Sequence, residues 1–110
     1  MSALATVVPE LVAEVGAALS SRGRGDLVRQ LEAGTIERCT YDPSVDAGYI
    51  YLVRPRPSQH FEKLAAPVAE TITFMDVGFN IDVDHDGHLF GIELLSRSDF
   101  VTKLREADAL

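Results

Sequence analysis

The chain has 110 residues, 46% of them apolar and 25% charged, and a formal net charge of -7. That length holds one core and excludes a second domain of any size, while the composition excludes disordered and fibrous classes. The acidic balance argues against a nucleic-acid partner, above all from Asp76 to Glu93, where five acids stand without a Lys or Arg. No apolar run approaches the roughly 20 residues that span a bilayer, and no basic, apolar and small-residue leader opens the chain. No membrane partner and a cytoplasmic location are therefore expected. Cys39 is the single cysteine, so neither an intrachain disulfide nor a thiolate metal cluster is available.

Pro9 suits a first helical turn, and Leu11, Val12, Val15, Ala18 and Leu19 follow at helical spacing, which predicts an amphipathic helix over residues 9–21. Gly23 and Gly25 interrupt it. Asp26 is placed to cap a second short helix carrying Leu27, Val28 and Leu31, with Gly34 as its stop, so residues 1–34 form a helical hairpin. Thr35 to Tyr41, a turn at Asp42-Pro43-Ser44, and Ala47 to Val53 make a first β-hairpin. Arg54-Pro55-Arg56-Pro57 forbids regular pairing, leaving residues 54–66 as a loop with a helical turn around Phe61 to Leu64. Val68, Glu70, Ile72 and Phe74 alternate with Ala69, Thr71, Thr73 and Met75 as a third strand does. Ser96 and Asp99 have capping-box spacing ahead of Phe100, Val101 and Leu104, the stripe of a C-terminal helix. The expected whole is a single α+β domain. An antiparallel meander of four or five strands over residues 35–96 packs with the helical hairpin and with a C-terminal helix over 97–110.

The stretch from Asp82 to Glu93 reads D-V-D-H-D-G-H-L-F-G-I-E and fits the calcium-loop pattern D-x-[DN]-x-[DN]-G-x5-E at every specified position. Such a loop needs a helix leading into it, to set its first and third carboxylates around one ion. The residues before Asp82 are instead rich in β-branched side chains, and Val77, Phe79, Ile81 and Val83 alternate with a strand's period. The same letters spell a hairpin turning at Asp86-Gly87. With a two-residue type I′ turn, His85 faces His88, and Val83 pairs with Phe90, Ile81 with Ile92 and Phe79 with Leu94, all on one face. The other face takes Asp84 with Leu89, Asp82 with Gly91 and Asn80 with Glu93. Six apolar side chains buried at about 1.5 to 3 kcal/mol each outweigh an exposed ion site. Asp82, Asp84 and Glu93 then project from a flat surface, and no metal or cofactor is expected. The residues that would hold a cation are Asp82, Asp84, Asp86 and Glu93 for calcium, or His85 and His88 beside Asp84 and Asp86 for zinc or nickel.

Tyr41-Asp42-Pro43-Ser44-Val45-Asp46-Ala47-Gly48-Tyr49-Ile50, Val68-Ala69-Glu70-Thr71 and the run from Asn80 to Leu95 together resemble the small bacterial domain-of-unknown-function family 2283. That family's pattern is Y-D-P-x-x-D-A-x-Y-I, then V-A-E-T, then D-x-D-x-D-G-x-L-x-G-I-E-I-L, in this order. The resemblance covers about residues 35–96 and departs at Gly48, where a large apolar residue is usual, and at the Pro-rich insertion from Arg54 to Ala66. It implies a compact antiparallel sheet with a helix against it and brings no established activity, cofactor or catalytic residue; some members are suspected antitoxin-like partners of small toxins. Within the motif, Asp46 is expected to hydrogen-bond backbone across its turn, and Gly91 to let a neighbouring group approach closely.

The leading expectation is a non-enzymatic interaction module, a homo-oligomer or the acidic member of a complex, because a short antiparallel sheet leaves an exposed edge. The alternative is a small enzyme or small-molecule binder in which His60 joins Tyr41, Cys39 or Glu70 in a pocket under the helices, a His and a carboxylate being a usable acid–base pair. Metal binding at the Asp-rich hairpin is the third.

Overall fold

The computed structural model describes residues 2–55 and 68–110, which hold four helices and five strands. The expected helical turn around Phe61 to Leu64 lies outside the described residues. Helix α2 (Pro9–Ser21) starts on a proline that has no N–H to leave unpaired, and it buries Leu11, Val15 and Leu19 completely along one stripe. It ends in a left-handed Gly23 (φ 72°), where the Gly23 N–H reaches the Ser20 carbonyl and the Arg24 N–H the Leu19 carbonyl. A short helix α1 (Leu4–Val7), not anticipated from the sequence, precedes it and buries Leu4.

Helix α3 (Gly25–Glu32) buries Leu27 and Leu31. Asp26 does not cap it: Arg24 is the cap residue, and Asp26 sits inside the first turn, where its carboxylate accepts the Arg24 Nε–H at 3.4 Å. Gly34 follows the helix without a left-handed φ, so it is not the expected glycine stop. The C-terminal helix α4 (Ser98–Glu106) buries Phe100, Val101 and Leu104 as expected, but the capping box does not form. Ser96 lies at φ 57° with its N–H on the Asp46 carbonyl, and the Asp99 carboxylate is held by Arg97.

The strands are β1 (Ile36–Asp42), β2 (Ala47–Leu52), β3 (Val68–Phe74), β4 (Phe79–Asp84) and β5 (Leu89–Leu95), all paired antiparallel in the order β1-β2-β5-β4-β3. The α+β class and the placing of its helices match expectation. The order refines the meander: β3, β4 and β5 follow one another, whereas β2 lies beside β5, so the β2–β3 connection crosses to the far edge. One face of each strand joins the core with the helices, as the alternating burial of β2 shows for Ile50 and Leu52. Two ion pairs link helices outside that core, Glu14 with Arg97 at 2.8 Å and Glu10 with Lys103 at 3.9 Å. No helix among the described residues is long and apolar enough to cross a membrane.

Candidate functional site

The Asp-rich stretch is a hairpin. Phe79 pairs with Leu94, Asn80 with Glu93, Ile81 with Ile92 and Asp82 with Gly91, as the alternation requires. Nearer the tip the expected register fails. Val83 pairs with Leu89 rather than Phe90, through a bulge, and the Asp84 N–H binds the His88 carbonyl, so His85 does not face His88. The turn has three residues, closed by the Gly87 N–H on the Asp84 carbonyl, with Gly87 left-handed at φ 80°. This is a type I turn followed by a glycine bulge, not the two-residue type I′ turn, for which Asp86 would also need a positive φ. The bulge turns Leu89 into the core and Phe90 onto the outer face. Gln30 of α3 braces the tip, its amide accepting the Leu89 N–H at 2.9 Å and donating to the Gly87 carbonyl at 3.0 Å.

Asp84, expected on a flat surface, is 7% exposed and curls under its own turn. Its Oδ1 accepts the backbone N–H groups of Asp86 (2.9 Å) and His88 (2.8 Å), and its Oδ2 accepts Arg54 Nη1 (3.0 Å). Burial opposes ionisation, but those donors prevail and hold its carboxyl below the usual carboxylate range. Asp84, Asp86 and His88 each offer one ligand atom within 4.8 Å of the others. The arrangement is that of a capped turn whose counter-charge is the Arg54 guanidinium. The other residues named for a cation do not converge on it. Asp82 and Glu93 lie on the outer face, bound to Tyr49, Thr71 and Asn80, and His85 is exposed in the turn.

Among the described residues named for an enzymatic pocket, Glu70 is not brought together with Tyr41 and Cys39, which share strand β1. Tyr41 is on edge strand β1, donating to Asp46 Oδ1 at 2.7 Å under the Arg105 guanidinium. Glu70 is on the opposite edge strand β3, paired with Arg24 at 3.0 Å; four strand spacings of ~4.8 Å separate the two edges. Cys39 is half-buried, and burial pushes its thiol up to about 11, the direction opposite to an activated nucleophile. His60 lies outside the described residues. In the Tyr-Asp-Pro turn the backbone is held by Asp42, whose Oδ1 accepts the Ser44 N–H at 3.0 Å, and not by Asp46. A groove of about 510 Å³ between α2 and the β3–β4 turn, lined by Glu14, Asp76, Val77 and Arg97, contains none of these candidates. Its cation is already committed to Glu14, Asp99 and the Val77 carbonyl.

The sheet face turned away from the helices carries a different constellation. Tyr49 and Tyr51 alternate on β2, their ring centroids 4.5 Å apart, and Phe90 meets both edge-on at 6.4 and 5.9 Å. Arg38 lies over Tyr51 at 3.7 Å and Arg54 over Phe90 at 4.6 Å. The Tyr49 hydroxyl donates to Asp82, which also accepts from Thr71, while Asn80 donates to Glu93 at 2.8 Å. Burial, and then the bond to Asp82, hold the Tyr49 phenol well above its ordinary value. Gly91 makes this possible: a Cβ there would lie 2.2 Å from Tyr49 Cε1 and 2.6 Å from the Ile50 carbonyl oxygen. The close approach expected at Gly91 is therefore that of the Tyr49 ring. Sequence reasoning did not single out Tyr49, Tyr51, Phe90, Arg38 or Arg54 as a group. The usable signal was the Tyr-x-Tyr alternation of β2, which sets both rings on the face opposite Ile50.

Tyr, Phe and Arg in mutual contact on an exposed sheet face have the composition of the energetic centre of a protein interface. Chemically the cluster offers aromatic area, two guanidiniums and paired acceptors, with no activated nucleophile among them. A family model described as "Protein of unknown function (DUF2283)" matches residues 38–98, which hold β2 to β5 and all but the first two residues of β1. Neither the curated proteins nor the solved structures include a match to the chain.

Proposed function

We propose that this chain, which belongs to the DUF2283 family of proteins of unknown function, is a non-enzymatic protein-interaction module that works through the sheet face turned away from its described helices. The observation that carries this reading is the Arg38–Tyr51–Tyr49–Phe90–Arg54 cluster, built on the face that no described helix covers. A surface kept only for solubility needs no such cluster, since exposed apolar residues are then scattered singly. The separation of Glu70 from Tyr41 and Cys39 supports the same reading, because among the described residues the carboxylate of the enzymatic alternative lies across the sheet from the other two. The test compares wild type with Tyr51→Ser and Phe90→Ser in cross-linking and pulldown from the host and in light scattering of the purified protein. Both substitutions are expected to abolish the associations that wild type shows while leaving the circular dichroism spectrum unchanged. Wild type and both variants behaving identically in every association measurement would falsify the proposal.

A further inference from the structure

We infer that the occupant of the open face is a second copy of this chain, paired about a two-fold axis running along the strands between β2 and β5. The inference rests on the interaction reading above and names the partner. The pairing register lays Arg38, Tyr51, Gly91, Asp82 and Thr71 in one row across β1, β2, β5, β4 and β3. The next outward-facing row is Thr40, Tyr49, Glu93, Asn80 and Thr73. A half-turn about that axis exchanges β2 with β5 and β1 with β4, while each row stays opposite itself. Arg38 then meets Asp82 of the second copy, Thr40 meets Asn80, Tyr49 meets Glu93, and Tyr51 meets the Tyr49 ring that covers Gly91. The Arg38 guanidinium faces a carboxylate, and the contact is isologous, so every pairing occurs twice.

The charges required are in place. Arg38 is exposed, stacked on Tyr51, and has no ion pair among the described residues. Asp82 accepts two hydroxyls and keeps lone pairs for a guanidinium, since a carboxylate has about four acceptor sites. Arg54 and Asp84 neutralise one another at 3.0 Å. The net charge of -7 therefore lies mostly on other surfaces, where two copies repel, whereas here a cation meets an anion. Four overlapping strands at ~4.8 Å and about six residues at ~3.4 Å give a shared face of about 19 by 20 Å, with β3 left outside it. Two copies would bury ~800 Å² before side-chain relief is counted, in the range of weak, transient contacts, which sets a concentration-dependent dimer. A single-stranded nucleic acid fits less well, because the two guanidiniums already cover the faces of Tyr51 and Phe90 on which bases would stack.

The test is a charge-swap complementation read by sedimentation equilibrium from low micromolar to millimolar protein. Wild type is expected to dimerise, and R38D and D82K each to weaken self-association by at least roughly tenfold. An equimolar mixture of the two variants should restore the wild-type affinity, because each introduced charge then meets its complement. Where D82K does not fold by circular dichroism, D82N takes its place, and its mixture with R38D should associate more tightly than either variant alone, because one Arg38–Asp82 pairing is then restored. A monomeric wild type at every concentration, or variants that dimerise like wild type, overturns the pairing. Monomeric wild type, with Phe90→Ser losing a heterologous protein partner, overturns the second copy and leaves the interaction reading standing. Binding of a labelled single-stranded RNA that is lost in R38D overturns both.

Discussion

Replacing Gly91 by alanine tests the support of the open face. The new methyl would lie 2.2 and 2.7 Å from Tyr49 Cε1 and Cζ and 2.6 Å from the Ile50 carbonyl oxygen. Carbon pairs rest at about 3.5 to 4.0 Å, so the ring has to withdraw by more than ~1 Å, and β2 has to shift against β5 because a backbone atom is also struck. Overpacking of that kind costs about 1 to 3 kcal/mol. Withdrawal of the ring also breaks the Tyr49–Asp82 hydrogen bond, a bond to a charged group contributing about 1.5 to 3 kcal/mol. Because Tyr49 is partly solvated, the lower ends are used, and the expected loss is about 2.5 kcal/mol, a large share of the 5 to 15 kcal/mol that holds a domain together. Urea denaturation should show the midpoint falling with an unchanged slope. The accompanying cycle uses Tyr49→Ala, which removes the ring clash but leaves the Ile50 carbonyl, so the double variant should lose ~1 to 2 kcal/mol less than the sum of the singles. A Gly91→Ala protein within ~0.5 kcal/mol of wild type, or strictly additive singles, would refute the close packing of ring on glycine.

At the hairpin tip, Asp84→Ala should cost about 2 to 3 kcal/mol, since it orphans two backbone N–H groups and Arg54, while Asp86→Ala should stay within ~0.5 kcal/mol. Added calcium should leave the melting temperature of wild type unchanged; a rise with calcium that is lost in both variants would restore the ion-site reading. Stability should also fall at both ends of the pH range. Hydrogen bonds from Arg97 hold the Asp99 carboxyl low, and Asp84 is likewise depressed, its donors overcoming burial, so both contributions are complete above the unfolded value near ~3.9 and are lost as pH falls through the folded ones. Burial raises Cys39 to about 11 and, with the Asp82 bond, raises Tyr49 further, so their contributions are complete below their unfolded values and are lost as pH rises above ~9 to 10. Tyr49→Phe should flatten that alkaline limb; an unaltered limb would show that the phenol does not titrate with unfolding.

The local periods of the chain identified most of its elements. Leu11, Val15 and Leu19 mark α2, and the alternation through Phe79, Ile81 and Val83 marks β4, a strand where a helix-flanked calcium loop would have a helix. What was hidden is non-local. Nothing in β2 or β5 alone announces that Ile50 pairs with Ile92, and no local preference makes Phe90 the bulged residue; the Gln30 brace is set by a residue 59 positions away from Leu89. The open face was hidden for the same reason. Alternation shows that Tyr49 and Tyr51 share a side, but which side the helices cover is decided by packing of the whole chain.

The position of β5 between β2 and β4 has a consequence for how the molecule is made. The hairpins β1–β2 and β3–β4 are local in sequence, yet neither touches the other in the sheet without the strand from Leu89 to Leu95 between them. As the polypeptide leaves the ribosome, the two halves exist as separate ribbons, each only marginally stable in water, until β5 has been synthesised. Arrival of the last strand joins them, so a nascent chain halted before Leu89 would hold two unjoined hairpins, whereas release of seven more residues closes the sheet in one cooperative step.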